Sequence, residues 1–150
     1  PDLQLVFVGP VEPKNLDRSL IEKLQSYPNA HFLGERDVNE LPGFIEGASI
    51  LMLPYLPTNN MKSTGLSLKF YEYLISGKPI IISPFTKMQV SDRFYYAASG
   101  ADEWVTKIEE LENGDGKIKS KERIAFAMDN TYSARIKIQQ QLLEPFFKIQ

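Results

Sequence analysis

The stretch from Lys69 to Ser83, Lys-Phe-Tyr-Glu-Tyr-Leu-Ile-Ser-Gly-Lys-Pro-Ile-Ile-Ile-Ser, leaves this chain few ways to fold. It joins a short amphipathic helix to a buried strand through Gly77 and Pro79, residues at which neither pattern continues. Helical spacing puts Lys69 and Glu72, three residues apart, on one face, while Tyr73 and Leu74 turn to the other side. A cation, an anion and a helix N-terminus therefore meet where a helix enters an α/β sheet. That set suits a ligand with phosphates at one end and sugar hydroxyls at the other.

The chain on either side repeats the theme. Leu3 to Val8 reads as a buried strand stopped by Gly9-Pro10. Asp17 or Ser19 caps a helix running to about Tyr27, and Pro28-Asn29 breaks it. Ala30 to Leu33 is a second strand, ending at Gly34. Asp37, with Glu40 three residues on, is a capping box for a helix that ends near Gly47. Ser49 to Pro54 is a third strand, the polar loop Tyr55 to Gly65 follows, and Pro79 to Ser83 is a fourth strand. Beyond it the pattern predicts a helix over Lys87 to Ala97 and a vestigial strand at Ala98-Ser99. A helix over Ala101 to Glu112 and a turn at Asn113 to Gly116 come next. Two closing helices follow, at about Ser120 to Asp129 and Thr131 to Lys148, with Pro145 disturbing the last turns.

Strands alternating with helices at this spacing imply βαβ units. The fold class is α/β, a Rossmann-like, doubly wound parallel sheet. In such sheets ligands bind beyond the carboxyl ends of the strands. Those ends are Gly9-Pro10, Gly34 to Arg36, Tyr55 to Gly65 and Ser83 to Phe85. The longest and most polar of these loops leads into the Lys69/Glu72 helix, so the site is expected there.

Composition removes other classes. The 150 residues suffice for one domain with a core, and 43% are hydrophobic, which argues against disorder. A formal charge of −2 gives no reason to expect a nucleic-acid partner. With no cysteine and one histidine, His31, the chain has no disulfide, zinc-thiolate site, cysteine nucleophile or histidine metal cluster. His31 falls in a strand and reads as structural. No apolar run is long enough for a transmembrane helix, and the start does not read as a signal peptide. Because a strand follows almost directly on Pro1, the chain is expected to be a piece of a longer protein.

Each candidate residue has a plain reading beside the functional one. Glu72 is a solvated helix residue paired with Lys69 or Ser76, or a carboxylate accepting hydrogen bonds from two ribose hydroxyls. Lys69 is an ion-pair partner, or a point charge against a diphosphate leaving group. Ser63, Thr64 and Gly65 cap the helix, or lend hydroxyls and N–H groups to phosphate oxygens. Arg36 is an exposed charge, or a contact beside a base. Gly9-Pro10 lacks the further glycines of a dinucleotide fingerprint, which disfavours an NAD site. Phe94, Tyr95 and Tyr96 read as helix packing. The run Glu109 to Arg123 reads as a solvated surface stretch around a turn.

Four segments carry a resemblance: Val-Gly-Pro at 8–10, His-Phe-Leu-Gly-Glu-Arg at 31–36, Leu-Pro-Gly-Phe-Ile-Glu-Gly-Ala-Ser-Ile-Leu-Met-Leu-Pro-Tyr at 41–55, and Leu-Ser-Leu-Lys-Phe-Tyr-Glu-Tyr-Leu-Ile-Ser-Gly-Lys-Pro-Ile-Ile at 66–81. Together they resemble the C-terminal, donor-binding domain of GT-B fold glycosyltransferases of the family 4 and group 1 kind. Asn130-Thr131-Tyr132 and Arg135 look like the family's closing helices. The resemblance implies a nucleotide-sugar-binding C-terminal domain over residues 1–150, one half of a GT-B fold. An N-terminal acceptor domain, absent from this chain, would supply the catalytic base. It implies transfer of a sugar from a UDP- or GDP-sugar to a glycan or lipid-linked acceptor, in polysaccharide biosynthesis, with no metal or other cofactor. Donor-binding residues carried over are Glu72 at the ribose, Lys69 at the diphosphate, Arg36 beside the base, and Gly9, Asn60, Ser63, Thr64 and Gly65 in the facing loops. The implied partners are the donor and the protein's own N-terminal domain. The implied location is cytoplasmic, with any attachment to the inner membrane face made through the missing domain.

The chain departs from the pattern in two places. Many members carry two glutamates with seven residues between them, and the first would fall on Thr64. A proline often found near Ser67 or Leu68 is also missing. A nucleotide-sugar epimerase of the same fold and a non-catalytic protein-binding module remain open as alternatives. The base, sugar, acceptor, linkage and oligomeric state are open as well.

Overall fold

The computed structural model describes residues 3–11, 17–55, 67–83, 90–114 and 119–147. The elements, in order, are β1 (Leu5–Phe7), α1 (Arg18–Gln25), β2 (Ala30–Phe32), α2 (Leu41–Gly47), β3 (Leu51–Leu53), α3 (Leu68–Ile75), β4 (Ile80–Ile82), β5 (Tyr96–Ala97), α4 (Ala101–Glu112), α5 (Ser120–Asp129) and α6 (Tyr132–Phe147). Among the described residues the strands pair in parallel, in two sheets ordered β1-β2 and β3-β4-β5. The α/β class expected from the alternation is what forms. The chain divides into two compact units, Pro1–Phe44 and Ile45–Gln150.

In the first unit β1 and β2 pair in the register Leu5 to Ala30, Val6 to His31 and Phe7 to Phe32. The last pair stacks its rings at 4.4 Å and 14°. Helix α1 connects the strands. Asp17 is its N-cap and accepts from both the Ser19 N–H (2.9 Å) and the Ser19 hydroxyl (2.7 Å). Those hydrogen bonds favour the charged carboxylate and hold its pKa below the ordinary value. Glu40 reaches back to the Asp37 N–H at 3.0 Å, one arm of the expected capping box. The Asp37 carboxylate instead accepts from the Asn39 N–H at 2.8 Å, and the helix starts at Leu41. His31 lies within β2, 2.7 Å from the Gln4 amide oxygen through its Nε2, in keeping with a structural role.

In the second unit β4 is the central strand. Successive side chains of a strand point to opposite faces, and a parallel sheet is covered on both. Ile80, Ile81 and Ile82 are therefore all fully buried. Ile80 and Ile82 pack with Leu51, Leu53, Phe70, Leu74, Val90, Phe94 and Ala127. Ile81 packs on the other face with Ala98 and Leu111, flanked by Trp104 and Ile108 of α4. Each buried isoleucine is worth about 1.5–3 kcal/mol of transfer free energy. The three together make β4 the anchor of the unit.

Two sequence expectations are corrected. Within the segment expected to be helical, Lys87 to Ala97, the described residues form a 3-10 turn at Asp92–Phe94 and then β5. Tyr95 is extended (φ −143°, ψ 171°), which suits an aromatic run better than a helix does. Phe94 stacks on Phe126 at 4.3 Å, and Tyr95 meets Phe70 edge-on at 6.1 Å. These aromatics thus pack from a turn and a strand, not from a helix. The strand expected at Ala98-Ser99 lies two residues earlier, and the Ala98 N–H continues the ladder to the Ile82 carbonyl at 3.1 Å.

The second correction concerns Arg123. It is completely buried, not part of a solvated stretch, and Leu111 in the same run is buried as well. Its Nε donates to the Phe94 carbonyl and its Nη1 to the Gly77 carbonyl, each at 3.1 Å. The guanidinium also lies over the Tyr96 ring, 5.8 Å from the centroid. Burial lowers its pKa, and Tyr96 opposes that shift. One side chain of α5 thereby satisfies a carbonyl just past the end of α3 and another just before β5.

Candidate functional site

Helix α3 forms because Phe70 and Leu74, one turn apart, bury completely against the sheet while Leu68, Lys69, Glu72 and Ile75 stay exposed. Leu74 takes the side expected of it. Tyr73 is half-buried, and burial raises its pKa, with smaller contributions from Tyr55 and Glu72. The helix ends where Gly77, at φ +70°, donates its N–H to the Leu74 carbonyl at 3.0 Å.

The start of α3 differs from the expected Ser63–Gly65 cap. Ser67 occupies the N-cap position (φ −69°, ψ 157°) yet makes no capping hydrogen bond. Its hydroxyl lies 2.9 Å from the Tyr55 hydroxyl instead. Tyr55 follows β3, so this pair joins the end of β3 to the start of α3. Ser63, Thr64, Gly65 and Asn60 lie outside the described residues.

Lys69 and Glu72 share one exposed turn of α3. The plain reading paired Glu72 with Lys69 or Ser76. Among the described residues, the ion pair present is Lys107 to Glu110 (2.6 Å), and neither Lys69 nor Glu72 takes part in one. Ser76 is otherwise engaged: its hydroxyl donates to the Tyr73 carbonyl (2.6 Å) and accepts from the Lys78 N–H (3.2 Å). A carboxylate and an ammonium, both exposed, thus share one turn of α3. Such a pair can accept from a diol and neutralise an anion.

In the first unit, Gly9 and Gly34 follow β1 and β2. Both have positive φ, +133° and +70°, and the Gly9 N–H donates to the Gly34 carbonyl at 2.8 Å. That N–H is therefore engaged within the protein. A Cβ at Gly9 would meet nothing within 4 Å among the described residues. Arg36 is exposed, two residues beyond Gly34. The structure thus groups Lys69 with Glu72 on α3, and Gly9 with Gly34 and Arg36 at the carboxyl ends of β1 and β2.

One contact to α3 had no sequence counterpart. Arg135 of α6 donates from Nη2 to the Tyr71 hydroxyl at 2.9 Å and lies 5.1 Å from the centroid of that ring. Asn130 and Arg135 stand out in the sequence only as part of the closing segment, and nothing there points to Tyr71.

Residues 1–113 match the family described as "Glycosyl transferases group 1". The chain belongs to this family. The match takes in β1 through α4 and both groups of residues described above, and it ends before α5 and α6. The chain is also 33% identical over 81 residues to a Bacillus subtilis (strain 168) protein described as "Putative teichuronic acid biosynthesis glycosyltransferase TuaH". That alignment covers 54% of this chain and 20% of the relative, so the chain spans a small part of the length of this curated relative. Among the described residues no helix is long and apolar enough to cross a membrane.

Proposed function

We propose that this chain is the donor-binding domain of a glycosyltransferase and holds a UDP- or GDP-sugar beyond the carboxyl ends of its parallel strands. The observation that carries the reading is the exposed Lys69/Glu72 pair on α3, unpaired with each other, in a member of a glycosyltransferase family. Glu72 accepts hydrogen bonds from the two ribose hydroxyls. Lys69 faces the diphosphate, where charge grows as the glycosidic bond to the sugar breaks. Arg36 lies beside the base, Gly9 leaves room for the ligand, and Asn60, Ser63, Thr64 and Gly65 complete the phosphate and sugar contacts. The site works without a metal, because the leaving diphosphate meets a lysine and the start of a helix.

The acceptor, a glycan or lipid-linked saccharide in polysaccharide biosynthesis, binds to an N-terminal domain outside this chain, which also supplies the base. Positioning and proton transfer both depend on that domain. The reading places the reaction in the cytoplasm, with any attachment to the inner membrane face made through the rest of the protein. Calorimetric titration with UDP, GDP and ADP, with and without EDTA, tests the proposal. Binding of UDP or GDP that EDTA leaves unchanged is expected. Failure of all three to bind at millimolar concentration refutes the donor site. With radiolabelled donor, the 150-residue chain alone should transfer no sugar, and measurable transfer would refute the division of labour between domains.

A further inference from the structure

We propose that Arg135 is a positioning residue for the nucleotide-binding face of α3 and acts through Tyr71. The inference rests on the donor-site reading of Lys69 and Glu72. Tyr71 lies between those two residues in the chain. At 100° per residue it projects from a different side of the helix than Lys69. Its hydroxyl accepts from Arg135 Nη2 at 2.9 Å, and its ring lies beneath the guanidinium, 5.1 Å from centroid to Cζ. The same Nη2 is 3.4 Å from the Asn130 Oδ1, and the Asn130 amide nitrogen donates to the Phe126 carbonyl at 2.8 Å. A continuous set of contacts therefore runs from the last turns of α5 through Asn130 and Arg135 to the middle of α3.

The rest of α3 shows why such a latch matters. Only Phe70 and Leu74 of this helix are fully buried. Tyr71 and Tyr73 are half-buried and pack against the same core, so what holds the Tyr71 ring bears directly on the rotation of α3 about its own axis. Small rotations would swing Lys69 and Glu72 together past a ligand. A hydrogen bond and a ring-face contact on the same tyrosine fix that rotation, because the planar guanidinium satisfies both at one ring orientation only. Arg135 and its hydrogen bond to Tyr71 are exposed, so this contact contributes little to folding stability. Its effect falls on the ordering that a nucleotide would otherwise have to impose.

The test is UDP and GDP titration of the 150-residue chain and its variants, with unfolding midpoints measured alongside. Arg135→Ala should weaken nucleotide binding about fivefold while shifting the midpoint little. Tyr71→Phe, which keeps the ring, should lie between Arg135→Ala and wild type. The double variant should bind no worse than Arg135→Ala alone, because both changes remove one shared contact. Ile108→Val, a mildly destabilising change in α4, should bind as wild type does. Wild-type affinity in Arg135→Ala overturns the inference, as does equal weakening in Ile108→Val. If the wild-type chain binds neither nucleotide, the donor-site reading falls and takes this inference with it. Normal wild-type binding with an unaffected Arg135→Ala removes this inference alone.

Discussion

Gly77→Ala is the most direct test of how α3 is set into the second unit. Gly77 is buried and adopts φ +70°, a conformation that costs an L-residue about 1–2 kcal/mol. The new Cβ would lie 3.0 Å from Ile124 Cδ1 and 3.3 Å from Ile124 Cγ1, and would collide with the Ser120 hydroxyl oxygen. Ile124 bends at modest cost, whereas Ser120 must rotate or the first turn of α5 must retreat. Overpacking of this kind adds about 1–3 kcal/mol. The sum, lowered slightly because Ser120 has one rotatable bond, is a destabilisation of about 2–4 kcal/mol, a large share of a typical domain's 5–15. The Gly77 carbonyl accepts from Arg123, so any retreat of α5 also lengthens that hydrogen bond. Urea unfolding followed by the fluorescence of Trp104, the single tryptophan, measures the loss. Adding Ser120→Ala removes the colliding oxygen but not the backbone strain, so the double variant should recover about half of the loss. A single-variant loss below about 0.5 kcal/mol would refute both parts of the reasoning. A double variant no more stable than Gly77→Ala would refute the steric part.

Three further outcomes are expected. Glu72→Ala should weaken UDP or GDP binding by about 1–3 kcal/mol, as for a charged acceptor, with the urea midpoint unchanged because Glu72 is exposed; normal titration of the variant would return Glu72 to a solvated role. Arg123→Ala should destabilise by about 3–5 kcal/mol, since it leaves the Phe94 and Gly77 carbonyls without their donor and opens a cavity, and circular dichroism melts would show it. Burial raises the pKa of both Tyr73 and Tyr95 above the ordinary 10.0. Unfolding then releases protons once the pH exceeds that value, so stability should fall as pH climbs past 10, and less steeply in Tyr73→Phe. A parallel fall in wild type and Tyr73→Phe would contradict the assignment.

Local pattern determines much of this chain. The apolar runs that became β1 to β4, the bounds of α4 and α5, and the placing of Lys69 and Glu72 on one helix face all follow from spacing, caps and breakers acting within a few residues. Such signals need no partner from elsewhere to be read. The segment before Ala98 is different. Phe94, Tyr95 and Tyr96 suit a helix or a strand equally by local pattern, and the choice falls to β4, whose free edge accepts Tyr96 and Ala97 in register with Ile81 and Ile82. The start of α3 was likewise decided by the fold, since the Ser67 hydroxyl is drawn to Tyr55, which sits 12 residues earlier, just past the end of β3. Arg123 shows the limit most plainly. A charged residue in a charged run reads as solvated, because nothing nearby announces two carbonyls 29 and 46 residues away that make its burial favourable. The Arg135 latch on Tyr71, across 64 residues, belongs to the same kind. Periodicity states which face of an element is apolar. Only chain closure states which distant polar groups that face will meet.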